Sequence, residues 1–407
     1  MIKISNYLPL SIVLFVIFPS VLSMQDGHWT ILTGIGIFSF VFINLILILS
    51  KKLYFNIPYP LTILFFGLLI SSLISFLIVG KLRPVINYGA LVLLFLVVRT
   101  LSSQIRDLDR LIINIVFGAC LAVPLVMLIG IDKPFLGENT SFTFYRFKGF
   151  FSNANSMGMF VAFTMHMIIG VLYAFKNSLS RLSKIYFYLI FFLSTIFLLA
   201  SNSRSAILSV IVVLGVVLVI ELFKRIKFSN GKIYFSNLRG ILRLFSLIIL
   251  FCVIIYWTGA LDNTIEKFFI KRATVVTDIS DGRISGWLFA IKNWNWFGYF
   301  DFVEFAELNG MLRVGHSTWI SHLNNFGLSA TFFFIFWILF MLYWAWRQIR
   351  TEKDSSSVIV FFLTLLGFFI NASFQTATST PGLATSIIMF AILFNKKNFY
   401  EGKNVSR

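Results

Sequence analysis

Arg204, Arg283 and His316 have side chains suited to chemistry, and each stands beside an apolar run. Arg204 lies in Ser201-Asn202-Ser203-Arg204-Ser205. Arg283 lies in Gly282-Arg283-Ile284-Ser285-Gly286-Trp287. His316 lies in Gly315-His316-Ser317-Thr318-Trp319, with Arg313 nearby. A fourth segment, Tyr145-Arg146-Phe147-Lys148-Gly149-Phe150-Phe151-Ser152-Asn153-Ala154-Asn155, leads into a further apolar run. Guanidinium binds phosphate oxygens bidentately and stays charged. Neutral imidazole takes a proton from a hydroxyl near neutral pH. Together they suit attack by a sugar hydroxyl on a carbon whose leaving group is a diphosphate, with the arginines stabilising the departing charge. An activated donor supplies the driving force, so this reading includes no ATP, metal or other cofactor.

Plain structural readings stand beside these. Ser152 and Asn153 are good helix caps, while the same helix start, with Arg146 and Lys148 beside it, could receive an anion. Trp287, Trp294 and Trp296 suit anchoring at a membrane interface, whereas Arg283 precedes that aromatic face. A lone imidazole is usually structural, but Arg313 and the surrounding cations favour a catalytic role for His316. His322 lies six residues further on, which is not the spacing of a shared helical metal face. Asp278 and Asp281 come nearest to a pair of metal-binding carboxylates, and a solvated Asp–Gly turn explains them equally well. The sequence has no zinc motif, P-loop or nucleophile elbow. Cys120 and Cys252 both sit inside apolar runs, which argues against a disulfide framework or a zinc site.

The elements that position these residues follow from composition. Of 407 residues, 58% are hydrophobic and 12% charged, against about 25% charged in ordinary soluble domains. The class expected is an all-α polytopic membrane protein. A span needs about 20 mostly apolar residues. Twelve are predicted, at 7–24, 30–50, 58–80, 84–100, 111–131, 153–175, 185–200, 205–222, 241–260, 327–346, 357–373 and 379–395. The first follows only Lys3 and reads as an uncleaved helix. The chain thus divides into nine spans over 1–260, one large extracytoplasmic loop with short amphipathic helices over 261–326, and three spans with a cytoplasmic tail over 327–407.

The formal charge of +18 does not indicate nucleic acid, because the basic residues are scattered between spans. On the predicted topology 22 of the 34 Lys and Arg residues fall on one side, which the positive-inside rule makes cytoplasmic, with both termini there. The other twelve face outward. They are Lys81, Arg83, Lys133, Arg146, Lys148 and Arg204, with Lys267, Lys271, Arg272, Arg283, Lys292 and Arg313 in the loop. Arg204 sits in a turn too short to leave the membrane surface and is predicted to face the bundle interior or a polar cavity.

The order of these elements resembles the superfamily of O-antigen polymerases (Wzy), O-antigen ligases (WaaL) and related oligosaccharyltransferases. The resemblance rests on Arg146, Gly149, Phe151, Asn153 and Asn155, then Ser203-Arg204, then Arg283 with Trp287, then His316 with Gly327. It covers about residues 140 to 345. Ala154 stands where the family has Pro, and Ser317 where it has Asn after the His. The resemblance implies a GT-C-like helical glycosyltransferase of the bacterial inner membrane working on its outer face. Its donor would be an undecaprenyl-diphosphate-linked oligosaccharide. His316 would be the base, with Arg204, Arg283, Arg146 and Lys148 binding the diphosphate, supported by Asn153, Asn155, Arg313 and Ser317. Partners implied are membrane lipid, a flippase and a chain-length regulator. A polymerase is expected ahead of a ligase that acts on lipid A core. A carrier for the same lipid-linked unit is the reading from a different class, but the predicted spans hold almost no ionisable residues away from their ends.

Overall fold

The computed structural model describes residues 4–22, 29–54, 59–80, 82–131, 142–143, 146–149, 151, 153–229, 232–235, 246, 283–299, 301–310, 317–351, 356–374 and 381–394. The chain enters through α1 (Ile4–Ile12), a π-helical stretch (Val13–Ile17) and α2 (Phe18–Leu22). There follow α3 (Trp29–Ser50), α4 (Tyr59–Val79), α5 (Arg83–Ser102) and α6 (Leu108–Ile131). A two-residue hairpin, β1 (Phe142–Thr143) with β2 (Arg146–Phe147), leads to α7 (Ala154–Ala174), α8 (Arg181–Ser201) and α9 (Arg204–Arg225). A second hairpin, β3 (Ile226–Ser229) with β4 (Lys232–Phe235), comes next. The remaining helices are α10 (Arg283–Lys292), α11 (Phe302–Leu308), α12 (Thr318–Thr351), α13 (Ser356–Phe374) and α14 (Pro381–Leu393).

Ten helical runs among the described residues are long and apolar enough to cross a membrane, and α14 is a shorter apolar helix. These correspond to eleven of the twelve predicted spans. The ninth, at 241–260, lies outside the described residues. The protein is therefore a multi-pass membrane protein with helices as its framework, since a backbone in lipid must satisfy its own hydrogen bonds. Burial ranks the helices: 83% of the apolar stretch of α7 is buried, against 28% for α4 and 33% for α8. The first is a central post, and the other two present broad lipid-compatible faces.

Hydrogen bonds sort the helix ends into two sets. At the basal end Ser357 donates to Asp109, Ser356 Oγ donates to Ala174 O at 3.2 Å, and Tyr173 donates to Glu221 at 3.1 Å. At the opposite end, here the loop end, Ser75 Oγ donates to Phe297 O at 2.6 Å and Trp319 Nε1 donates to Ser373 Oγ at 3.0 Å. The pairs place the start of α6 beside the end of α7 and the start of α13, as an alternating bundle requires. The described chain leaves α9 at the basal end and resumes in α10 at the loop end.

The tenth span is predicted to start at 327, yet α12 begins nine residues earlier. The reason is a break. Gly327 has φ 84° and ψ 168° inside α12, a conformation that a residue with a Cβ rarely adopts. The backbone groups that the break frees are taken by the loop segment beside it. Leu328 N donates to Asn295 O at 2.9 Å, and Tyr299 N donates to Asn324 O at 2.8 Å. Ser329 Oγ donates to Trp296 O at 2.9 Å. Gly298 (φ 84°) meets the break from the other side; a Cβ there would lie 2.6 Å from Asn325 O. Two glycines back to back thus let the loop replace a turn of helix.

Candidate functional site

The segment 146–155 is held against the loop ends of α7 and α8. The Phe147 ring stacks on Phe197 of α8 at 5.6 Å, and Phe151, 2% exposed, packs on Phe160 of α7. Between them Phe151 N donates to Lys148 O at 3.1 Å, and Gly149 takes φ 54° to close the turn. Arg146 is carried in β2, and Lys148 is half-buried at the turn. Asn153 caps α7, its Oδ1 accepting from Ser156 N at 2.8 Å and from Ser156 Oγ at 3.2 Å. The capping reading therefore holds for Asn153, and Asn155 sits half-buried in the first turn.

The Ser201–Arg204 turn joins this segment. Asn202, in the left-handed region (φ 48°, ψ 41°), terminates α8. Ser201, Ser203 and Ser205 are buried, and Arg204 is exposed as the first residue of α9. Arg204 was predicted to face the bundle interior or a polar cavity; the small serines take the inward positions and leave the guanidinium exposed, which rules out the bundle interior and leaves a cavity open to the surface. The turn can approach α7 only because residue 158 is glycine. A Cβ there would stand 2.3 Å from Ser203 Cβ and 2.9 Å from Ser201 Oγ. Arg204 and the cap of α7 are consequently neighbours at the loop end.

Three hydrogen bonds extend the assembly to the other elements. Ser209, five residues after Arg204, has its Oγ 3.2 Å from His166 Nε2 of α7. Asn371 Nδ2 of α13 donates to the same Oγ at 3.2 Å. Two residues further along α13, Ser373 receives the Trp319 indole N–H of α12. Trp319 is three residues from His316. His316 and Arg313 lie outside the described residues. Ser317 is 2% exposed at the start of α12, where its carbonyl accepts from Ser321 N at 2.9 Å.

Arg283 opens α10, as the amphipathic pattern predicts. Ala290 of α10 packs with Phe302 and Ala306 of α11 over Ile320 of α12. Trp294 and Trp296 meet edge to face at 5.4 Å and are exposed. Arg283 is thereby carried on a helix whose small cluster rests on Ile320, four residues after His316.

None of the helices α7, α9, α10 and α12 has an acidic residue in its first turn. All four begin at the loop end, and α9 and α10 begin with arginine. Cations at helix N-termini oppose the helix dipole, but α5, which begins with Arg83, and α8, which begins with Arg181 at the basal end, share the pattern, so it does not by itself mark an anion site. No cluster of three or more His, Cys, Asp or Glu among the described residues could hold a metal.

Sequence reasoning missed Tyr88, Gly158, Gly298 and Asn324, and set His322 aside. The Tyr88 hydroxyl lies 2.7 Å from His322 Nε2. His322 stacks on Phe334 at 4.5 Å and is 3% exposed. Asn324, 2% exposed, has no hydrogen bond to either side-chain polar atom among the described residues. It stands in a stretch that also holds Ser317, Thr318, Ser321, His322 and Asn325, so its residue type alone gave no signal. Comparison with protein-family models gives no match for this chain, and comparison with curated proteins gives none either.

Proposed function

We propose that the protein is a membrane glycosyltransferase that transfers a glycan from an undecaprenyl-diphosphate carrier to a sugar hydroxyl of another lipid-linked repeat unit. The basal end, rich in Lys and Arg, faces the cytoplasm in this reading, and the loop end faces outward across the bacterial inner membrane. His316 takes the proton of the acceptor hydroxyl as its oxygen bonds to the anomeric carbon. The bond from that carbon to the diphosphate breaks, and undecaprenyl diphosphate leaves with the electron pair. Arg204 and Arg283, with Arg146 and Lys148, bind the leaving group. Arg313 and Ser317 flank His316; Asn153 and Asn155 hold the start of α7.

The observation that carries the reading is the Gly158–Ser203 contact. It sets two helix N-termini and Arg204 side by side, while Ser209, Asn371, Ser373 and Trp319 connect them to the helix beside His316. The resemblance of the motifs to glycan polymerases and ligases adds the substrate class. A ligase that transfers the finished glycan to lipid A core is the second reading, because the two share these motifs.

Surface glycans of a deletion strain test the proposal. Single repeat units on lipid A core indicate a lost polymerase. Unmodified core with long glycan retained on the carrier indicates a lost ligase. Unchanged glycans in a strain without a second such enzyme would refute both.

A further inference from the structure

At the basal end, far from the candidate active site, a polar cavity of about 930 Å³ opens between α1, α3 and the α5–α6 turn. Among the described residues that line it, the cations are Lys51, Arg106 and Arg110, and the acid is Asp107. Asp107 is already committed, its Oδ1 accepting from Arg110 N at 2.9 Å as the cap of α6. The three cationic side chains are exposed and form no ion pair among the described residues. Asn6, Gln104 and Asn114 add amide groups to the rim, while Ile4, Ile105 and Leu111 supply an apolar wall. The flanking helices present apolar faces outward, including Leu10 and Leu14 of the entry helix and Leu49 of α3.

We propose that this cavity binds the headgroup of an anionic phospholipid, with Arg106, Arg110 and Lys51 on the phosphate and the acyl chains along the outer face of the entry helix. Charge sets the ligand's sign: three cations against one capped carboxylate leave a net positive site. Position sets its source. The cavity stands at the ends of membrane-crossing helices, at headgroup height, where a lipid phosphate is present at far higher local concentration than a soluble one. The apolar wall continues into lipid-facing helix surface, which a free phosphate would not use. Basic residues at this end are expected from topology alone, but topology does not require them to surround a cavity. The site does not rest on the proposed transferase activity.

The test is native mass spectrometry of the full chain in detergent, titrated with phosphatidylglycerol, phosphatidylcholine or inorganic phosphate. Arg106→Gln/Arg110→Gln is compared with Arg347→Gln/Arg350→Gln, which removes two exposed charges at the basal end of α12, outside the cavity lining. The expected result is preferential retention of phosphatidylglycerol by the wild type and the Arg347/Arg350 variant, weakened roughly 30-fold in the Arg106/Arg110 variant. Equal retention by both variants, or equal weakening in both, would overturn the site. Displacement of phosphatidylglycerol by millimolar inorganic phosphate would overturn the lipid assignment. Because the substituted side chains are exposed, unchanged melting temperatures are expected. A variant that melts early is replaced by Lys51→Gln, read in the same way.

Discussion

Gly158 of α7 and Ser203 at the head of α9 meet so closely that a methyl group on residue 158 would lie 2.3 Å from the Ser203 Cβ. That contact is the joint between the Asn153-Ala154-Asn155 segment and the Ser203-Arg204 segment, which sequence separates by about fifty residues.

Gly158→Ala should therefore push α9 from α7 and displace Arg204. Overpacking of this kind costs about 1–3 kcal/mol. Glycan transfer should fall at least tenfold, with the protein still in the membrane. Gly215→Ala is the control: it lies on α9 with nothing within 4 Å of its added Cβ, so stability and transfer should be unchanged or slightly raised. Surface glycan profiles and melting temperatures report both.

The paired glycines predict a second effect. At Gly327 a Cβ would lie 2.3 Å from Trp296 O, and the residue holds φ 84°. Gly327→Ala and Gly298→Ala should each lower the melting temperature and expose the 293–299 segment to limited proteolysis near Trp296. Backbone strain alone contributes about 1–3 kcal/mol. Wild-type protease resistance in both variants would count against the docked loop.

Much of the framework was legible in sequence because a bilayer imposes a length and an apolarity that a window count detects. Eleven predicted spans have helices, and α10 opens at Arg283 as expected. The cap role of Asn153 was also readable, since its side chain acts on the backbone three residues ahead. What sequence did not show is pairing across helices. Nothing in the run around Tyr88 indicates that its hydroxyl meets His322, 234 residues away. Gly158 and Gly367 look alike as small residues in apolar runs. Only packing shows that one admits Ser203 and the other the His166 ring. Which of the two readings of Arg204 holds was hidden for the same reason: its neighbours Ser203 and Ser205 fill the inward positions.

Tyr88→Phe should destabilise the protein by about 1 kcal/mol, because it removes the hydroxyl beside a buried imidazole. Asn324→Leu should do the opposite or nothing, since a buried amide without a side-chain hydrogen bond among the described residues is exchanged for an apolar group of similar volume. Thermal unfolding in one detergent compares the two directly, and a large loss for Asn324→Leu would reveal a polar partner for that amide.

Ser209 joins His166 and Asn371 within the bundle, so Ser209→Ala should leave both partners unpaired and cost about 1–3 kcal/mol. Adding Asn371→Leu should cost less than the sum of the single changes, as expected for residues in one network. A double-mutant cycle on melting temperatures measures this coupling; strict additivity would mean that Ser209 and Asn371 do not stabilise one another.

In the proposed reaction, arginines at the loop end and His316 act together on a diphosphate-linked glycan. The most direct measurement reconstitutes the purified protein in liposomes with undecaprenyl-diphosphate-linked repeat units and follows chain length and released carrier. Wild-type protein should lengthen the glycan with release of undecaprenyl diphosphate. His316→Ala, Arg204→Ala and Arg283→Ala should each be slowed by about 100-fold or more. Arg204→Lys should also fail, because an ammonium cannot reproduce the bidentate fork. Undiminished elongation by all three alanine variants would contradict the account.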